Sequence, residues 1–511
     1  MTPRADRPGN AAYHQLSTGS RDFIARHELW DDRRQAAARD LEAALDTLDY
    51  VRVVFADPHG LARSKTLTAD AFRTVLRNGM DYSPGPFVFD TGHAVAVDYT
   101  LSDAGIGVDE LQGAGDFVLV PDPTTFRRLP YTRARTGWVI GDEYLRSGRP
   151  HPLSGRAVLR RLLDGLRSRD LDYVVGLEVE WYLTRLVDGH FTGSVGGFGE
   201  QGEPPAVTPV NGGFQFNLDS LTDALEPVTG PLADALRQLG LPLRSVEHES
   251  GPGQLEFTFA PQHALDAADS MLLFRTVTKQ ICARQGHHAS FMALPALPGF
   301  DASGWHLHQS LAQASTGRNL FSAPDGDAVL SPTGEAFLAG LLEHAPAGAL
   351  LCVPTLNGYR RINGGFSLAP SRVAWSVENR GALLRVLGAH GDPAAHIENR
   401  LGEPCANPYL YMSAQLAAGL DGMHQGKAPG PSADDPHATH LPALPGSLGE
   451  ALRAFTESRF HREVLGNPLA ECLRQLKSSE LRRYEQWCAT AGRTDDRAVS
   501  EWEHREFFAT Y

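Results

Sequence analysis

Apolar and polar positions along the chain follow two rhythms. A recurrence near every third and fourth position places side chains on one face of a helix, and strict alternation places them on one face of a strand. The helical rhythm covers residues 33–48, 70–77, 154–170, 231–239, 272–285, 334–344 and 407–422, and returns through the terminal region. In 154–170, Ser154 is the expected cap, and Val158, Leu159, Leu162, Leu163 and Leu166 form the apolar stripe. In 231–239, Pro231 suits a first turn, where no amide donor is needed. The strand rhythm covers 50–55, which runs into the turn Asp57-Pro58-His59-Gly60, then short strands to about 129, and the stretches 172–183, 246–257, 303–311 and 396–400. Residues 79–86, 211–215 and 425–445 read as loops, and 357–370, rich in Gly, Asn and Ser, as a movable flap. Arg63, Ser64 and Lys65 read as a solvated strand, and no repeat is found.

Several strands carry polar residues where the pattern calls for apolar ones. Glu178 and Glu180 are two apart in DYVVGLEVEWYL and therefore share a face. The run VEHESGPGQLEF sets Glu247, Glu249 and Glu256 around a Gly-Pro-Gly reversal; a solvated acidic hairpin and a metal site both account for it. His306, His308 and Ser310 alternate on a further strand, as do Glu398 and Arg400. Buried acids neutralise or find a cation, so Glu178, Glu180, Glu249, Glu256, His306 and Glu398 are the candidate metal ligands. Five carboxylates and one imidazole suit Mg²⁺ or Mn²⁺ better than zinc or copper. Arg361, Arg380, Arg385 and Arg400 supply the opposite charge, and metals facing guanidinium groups describe phosphoryl transfer. There is no GxxxxGK[ST] loop and no kinase signature set.

Composition narrows the class. With 511 residues, 42% hydrophobic and 21% charged, the chain is long enough for more than one domain of a globular protein. A net charge of −14 and no basic stripe argue against nucleic acid as the main partner. The longest apolar region, 337–354, is interrupted by Glu343 and His344, so it reads as a buried helix and no membrane partner is expected. The first twenty residues lack a secretory hydrophobic core. Five scattered cysteines without a CxxC fit reduced thiols of a cytoplasmic protein.

Taken in order, these pieces resemble class I glutamine synthetases: the ExE strand (Glu178, Glu180), E…PGQxE (Glu249, Gly253, Gln254, Glu256), SGxHxHxSL from Ser303, NxYxR (Asn357 to Arg361), NR…R (Arg380, Arg385) and ExR followed by ANPY (Glu398, Arg400, Ala406 to Tyr409). The resemblance spans roughly 48–505. It implies an α+β glutamine synthetase fold, with a disordered leader at 1–30, a small β-grasp domain at 31–145 and a catalytic domain at 146–511 whose curved antiparallel sheet is flanked by helices. It also implies a homo-oligomer, a dodecamer of two hexameric rings with active sites between neighbours. Within the site it implies one metal on Glu180, Glu249 and Glu256 and another on Glu178, His306 and Glu398. ATP would meet His308, Ser310, Arg380 and Arg385, with Arg380 also catalytic. Arg361, a catalytic residue as well, would meet the acid substrate beside Arg400.

Three departures and one match matter. Where ammonia-using members carry a flap glutamate before Ala-Pro, this chain has Ser367, and a hydroxyl cannot act as that base. Asp81 matches an ammonium-site aspartate supplied across the subunit interface, making it a catalytic candidate. Asp301 and Ala302 stand where the family's Asn-Gly seats the acid's amino group, and Trp305 replaces a smaller residue. No tyrosine lies between Tyr411 and Tyr484, so the adenylylation switch of some bacterial members is expected to be absent. The resemblance is strongest to the γ-glutamylpolyamine and γ-glutamylamide synthetase branch. The implied reaction joins glutamate to a primary amine or polyamine through a γ-glutamyl phosphate, at the cost of ATP. The alternatives are an ammonia-using glutamine synthetase, a ligase with an unusual acid or amine, and an inactive scaffold.

Overall fold

The computed structural model describes residues 22–187, 195–323, 328–362, 368–494 and 498–511. Two sheets organise them. The smaller has six strands, in the order Ala62–Thr68, Tyr50–Ala56, Thr136–Tyr144, Phe117–Pro121, Met80–Tyr82, with Arg127–Arg128 alongside Thr136–Tyr144. Its first and last long strands, Tyr50–Ala56 and Thr136–Tyr144, run parallel. The helix Ala69–Asn78 lies against this sheet through Phe72, Val75 and Leu76, all buried, so the expected grip of a mixed sheet on a helix is present.

The larger sheet has ten strands and is built around one of them, the 16-residue Leu171–Leu186. One edge of this central strand pairs with Trp305–Gln313 and then His287–Ser290; the other pairs with Gln262–His263, Gln254–Phe259 and Val207–Pro209. Beyond them lie His396–Asn399, Leu384–Leu387 and Trp375–Val377 on one side and Leu243–His248 on the other. All pairings are antiparallel except Trp375–Val377 with Leu384–Leu387. Tyr173, Val175, Leu177, Val179, Trp181 and Leu183 turn one face of the central strand into the core. The helices Gly155–Arg167, Ala264–Arg284, Pro332–Cys352 and Pro408–Gln425 supply the rest of that core. Two of them touch backbone to backbone: a Cβ on Gly340 would lie 2.0 Å from the carbonyl of Ala418. The other face of the central strand is left to the polar residues.

Several elements differ from their sequence reading. The leader expected through residue 30 is ordered at its described end, because Phe23 and Ile24 are buried and Trp30 Nε1 donates to Pro121 O at 3.1 Å; residues 1–21 lie outside the described part. The helix expected from 231 begins at Asp219 and runs through Pro227 and Pro231. Buried Leu225, Leu232, Ala235 and Leu236 hold it against the body and override the breaker signal. The helices expected from 272 and over 334–344 are Ala264–Arg284 and Pro332–Cys352, the latter passing Pro346. Within the expected loop 79–86, Met80–Tyr82 is an edge strand and Gly85–Val88 a helical turn. No helix among the described residues is long and apolar enough to cross a membrane.

Candidate active site

The register of the large sheet collects the predicted acids. Glu256 stands opposite Glu180 and, on its other side, opposite Glu247, so three carboxylates form one row across three strands. Glu178 faces His306, His308 faces Glu398, and Glu398 faces Arg385. A strand's period of two fixes all of these on the face away from the core. Like charges directly opposite weaken a sheet, so the row of three is not what stability alone would select.

The two halves of the cluster differ electrostatically. Burial, and then the neighbouring Glu178, Glu180, Glu249 and Glu247, push Glu256 up to about 10. Burial and Glu180 push Glu249 up to about 8, and burial also raises Glu180. Glu178 goes the other way: burial opposes its charge, but hydrogen bonds from His306 (2.6 Å) and His308 (3.1 Å) outweigh it. Burial likewise opposes the charge of Glu398, and His306 and Arg400 overcome it.

Glu180 feels the charges of His306 and Arg361, which do not offset its burial. Clustered buried acids next to imidazoles fit a divalent cation of the Mg²⁺ or Mn²⁺ type. At this site two groups of described residues bring their ligand atoms within 4.8 Å of one another: Glu178, Glu256 and His306, and Glu178, His308 and Glu398. Glu180 and Glu249 also act on Glu256, Glu180 from directly across the strand pair, and Glu180 Oε2 accepts from Gly304 N–H at 2.7 Å. His308, assigned above to nucleotide, has its Nε2 on Glu178 and its Nδ1 3.0 Å from His396 Nε2. Gly176 stands directly across from it. Ser310 is one step further along the same face and half-buried.

Beside the acids is a cavity of about 220 Å³ lined by Glu180, Glu249, Ser250, Gln254, Asp301, Ala302, His306, Arg361, Leu368, Ala369 and Arg400. Arg361 is buried and donates to the carbonyls of Arg400 (2.9 Å), Leu401 (2.8 Å) and Gly402 (3.2 Å). Gly304 is required beside it, since a Cβ there would lie 2.6 Å from Arg361 Nη2. Arg400 donates from Nε to Arg380 O at 2.8 Å and pairs with Glu398 through Nη1. Arg385 bridges Glu398 (3.2 Å) and Glu378 (2.6 Å). The side chain of Arg380 is exposed. Within one chain Asp81 is not brought to this cavity: it is exposed on the edge strand Met80–Tyr82 and pairs with Arg146 at 3.2 Å. Ser367 lies outside the described residues. Trp305, read as a change near the acid substrate, is fully buried on the opposite face of its strand and packs edge-on against Tyr411, so it has no bearing on the cavity.

Sequence reasoning left two residues without a role. Gln254 ties the hairpin to the cavity wall: its Nε2 donates to Ala302 O (3.0 Å) and Ser303 Oγ (2.9 Å), and its Oε1 accepts from Gly251 N–H (2.8 Å). Its place in PGQxE was the available signal. Tyr182 OH both donates to Asp301 O (2.8 Å) and accepts from Asp301 N–H (2.7 Å), a contact no spacing could reveal. The hairpin's glycines are obligatory: a Cβ at Gly251 would strike Tyr182 OH at 2.0 Å, and Gly253 has φ +76° with Leu183 O 2.3 Å from a Cβ.

The profile of the glutamine synthetase catalytic domain matches residues 152–494. A γ-glutamylanilide synthase from Acinetobacter sp. is 39% identical over 495 residues, covering 95% of this chain and 98% of its own. The glutamine synthetase of Thermus thermophilus is 32% identical over 411 residues, covering 78% and 85%. Among solved structures, GmaS without ligand superposes with a TM-score of 0.72 at 27% identity, covering 91% of this chain and 98% of its own, and a GmaS/ADP complex superposes with a TM-score of 0.72 over 88% and 99%. With a matched catalytic domain, full-length relatives and a shared fold, the chain belongs to the glutamine synthetase family, whose members are ligases that form carbon–nitrogen bonds.

Proposed function

We propose that this chain is an ATP-dependent ligase that joins the side-chain carboxylate of glutamate to an amine other than ammonia, with a weakly basic arylamine as the favoured nucleophile. The observation that carries this reading is an intact cluster of buried acids and arginines combined with serine, not a carboxylate, at position 367. Ammonium must lose a proton before it attacks, so it needs a basic residue at the flap; an arylamine is already neutral near pH 7 and does not. Apolar residues at the cavity favour the same class. Leu368 lines it and is 49% exposed, and Phe214, 59% exposed, is held by its backbone to Ser250 of the lining. The γ-glutamylanilide synthase relative and the ADP-bound GmaS neighbour support the nucleophile and nucleotide classes.

Glu178, Glu180, Glu249, Glu256, His306 and Glu398 would hold Mg²⁺ or Mn²⁺, with His308 reaching either ion or nucleotide. The ions would neutralise phosphate oxygens and favour phosphoryl transfer. Arg361 and Arg400 would seat the acid, Arg380 and Arg385 the phosphates, and Ser310 the nucleotide. Asp301 and Ala302 lie where the acid's amino group would sit. The glutamate oxygen takes the γ-phosphoryl group of ATP as the bond from that phosphorus to the bridging oxygen breaks and ADP leaves; the amine then attacks the acyl carbon, the carbon–nitrogen bond forms as the carbon–oxygen bond breaks, and phosphate leaves with the amine's surplus proton released. Asp81, remote from its own chain's cavity, would serve a neighbour's, which requires a homo-oligomer; a dodecamer of two rings fits the family. Free cysteines, four of the five buried, suit a reducing cytoplasm.

The exposed carboxylate of Asp301 favours a second reading, in which the nucleophile is a cationic polyamine. The deciding experiment measures ADP release with glutamate plus aniline, putrescine, ethylamine or ammonium, with products identified by mass. The anilide is expected as the best product with negligible glutamine; ammonium turning over as fast as aniline would overturn the reading.

A further inference from the structure

The two walls of the 220 Å³ cavity come from distant parts of the chain, and both are fastened to one short helix. One wall is residues 294–304, which carry Asp301 and Ala302. The other is the turn Gly358–Ile362, which carries Arg361. Between them, buried Asn357 exchanges two hydrogen bonds with the backbone of Leu294: its Oδ1 accepts from the N–H at 2.8 Å, and its Nδ2 donates to the carbonyl at 3.0 Å. Behind both stands the helix Glu501–Phe507. The carboxylate of Glu503, 0% exposed, accepts from Arg360 Nε at 3.0 Å and Nη2 at 3.3 Å, and from Asn357 Nδ2 at 3.4 Å. Next to it, His504 Nδ1 accepts from Ala296 N–H at 3.3 Å. Burial holds the imidazole down to about 4, so it is neutral and has the lone pair this bond needs.

The helix is itself anchored. Glu503 closes a capping box with Ser500, Glu506 pairs with Arg483 and accepts from Thr91 Oγ1, and the carbonyl of Phe508 accepts from Ser290 Oγ at 2.8 Å. Arg360 and Arg361 are adjacent on one turn, Arg360 directed to this helix and Arg361 to the carbonyls of 400–402. Any rotation of the turn therefore moves both.

We propose that the helix Glu501–Phe507 is a clasp that sets the spacing of the cavity's two walls, with Glu503 as the positioning residue that orients Arg361 through Arg360 and the 294–304 wall through Asn357. The kinetic consequence rests on the reading that this cavity seats the acid substrate; the clasp itself does not. A site held on side chains locked by their neighbours loses binding when that support loosens, even far from the reacting atoms.

The test compares Glu503→Gln, which keeps the side chain's size but removes the charge that Glu503 presents to Arg360, with His504→Ala, which removes the bond to only one wall. Amide hydrogen exchange in the full-length protein is the first readout. Glu503→Gln is expected to speed exchange in both 294–304 and 357–362, and His504→Ala in 294–304 alone, with Trp305–Gln313 unchanged in each. In turnover with glutamate, aniline and ATP, Glu503→Gln should raise the KM for glutamate roughly tenfold while the KM for ATP stays within about twofold. Unchanged exchange in both walls, or a rise spread equally over the strand Trp305–Gln313, would overturn the clasp. Should glutamate not be turned over by the unaltered protein, the reading of the cavity fails, and the exchange pattern still decides the clasp. If Glu503→Gln does not fold, the selective effect of His504→Ala decides it.

Discussion

At the scale of residues, the site is a set of carboxylates whose proton affinities have been driven apart. Glu256 and Glu249, at about 10 and about 8, stay protonated in the folded chain where an unfolded chain would have ionised them. The folded state therefore binds more protons from the ordinary carboxylate range upward, and its stability falls as pH rises toward those values. Glu178 and Glu398 are shifted the other way and are ionised in both states over this window, so they do not contribute there. A divalent ion needs Glu256 and Glu249 as carboxylates, so its binding releases protons and tightens as pH rises. Melting temperatures taken from about pH 6 to about pH 9 should thus fall without metal, and the increment given by Mg²⁺ or Mn²⁺ should grow. Glu143 and Glu403, raised by burial to about 7 and about 8, add to the fall in any variant, so the difference between the unaltered chain and Glu256→Gln isolates the site. A metal increment that shrinks with pH would contradict this account. Glu256→Ala should lower ATP turnover more than about a hundredfold, because even the outer partners of metal ligands cost tenfold to a hundredfold. Glu247→Ala should be mild, since Glu247 acts on Glu256 only by repulsion and bonds elsewhere, to Ser245 Oγ at 2.7 Å.

At the scale of elements, the strands that carry the chemistry were legible and the details that aim it were not. Alternation alone places Glu178 with Glu180 and His306 with His308, and the central strand runs a few residues past its expected ends. The backbone N–H of Gly304, which holds the Glu180 carboxylate at 2.7 Å, is a contact that no spacing along the chain could reveal. Trp305 was misplaced because substitution by a large residue says nothing about which face it takes; its neighbour His306 faces the site, so it must face the core. Pro231 signalled a helix start that apolar packing overrides, and the helix expected over 334–344 runs on past Pro346 to Cys352. Gly304 gives the sharpest test at this scale. Gly304→Ala would drive a methyl to 2.6 Å from Arg361 Nη2 and 3.1 Å from His306 Nε2, so Arg361 should move more than the metal ligand beside it. The expected result is a KM for glutamate raised by on the order of tenfold or more with nucleotide binding retained. Equal losses for both substrates would mean that the strand itself had been disturbed.

At the scale of the whole molecule, the large sheet holds every predicted residue except Asp81 and Ser367 in or beside one polar face, while Asp81 stands on the smaller sheet, exposed and paired with Arg146. A catalytic part for Asp81 is therefore possible only if one chain's small sheet meets another chain's cavity. Mixing two inactive variants separates this from an incidental surface aspartate. Asp81→Ala chains retain a complete acid cluster and lack the donated carboxylate; Glu256→Ala chains have the reverse defect. In a mixed oligomer, a cavity with its own Glu256 can meet the Asp81 of a Glu256→Ala neighbour, so subunits dissociated and reassembled together should regain up to about a quarter of the original activity, the fraction random pairing of two partners allows. Each variant reassembled alone should regain none. Restored turnover only in the mixture assigns Asp81 to the neighbour's site; full activity in Asp81→Ala alone removes it from the mechanism.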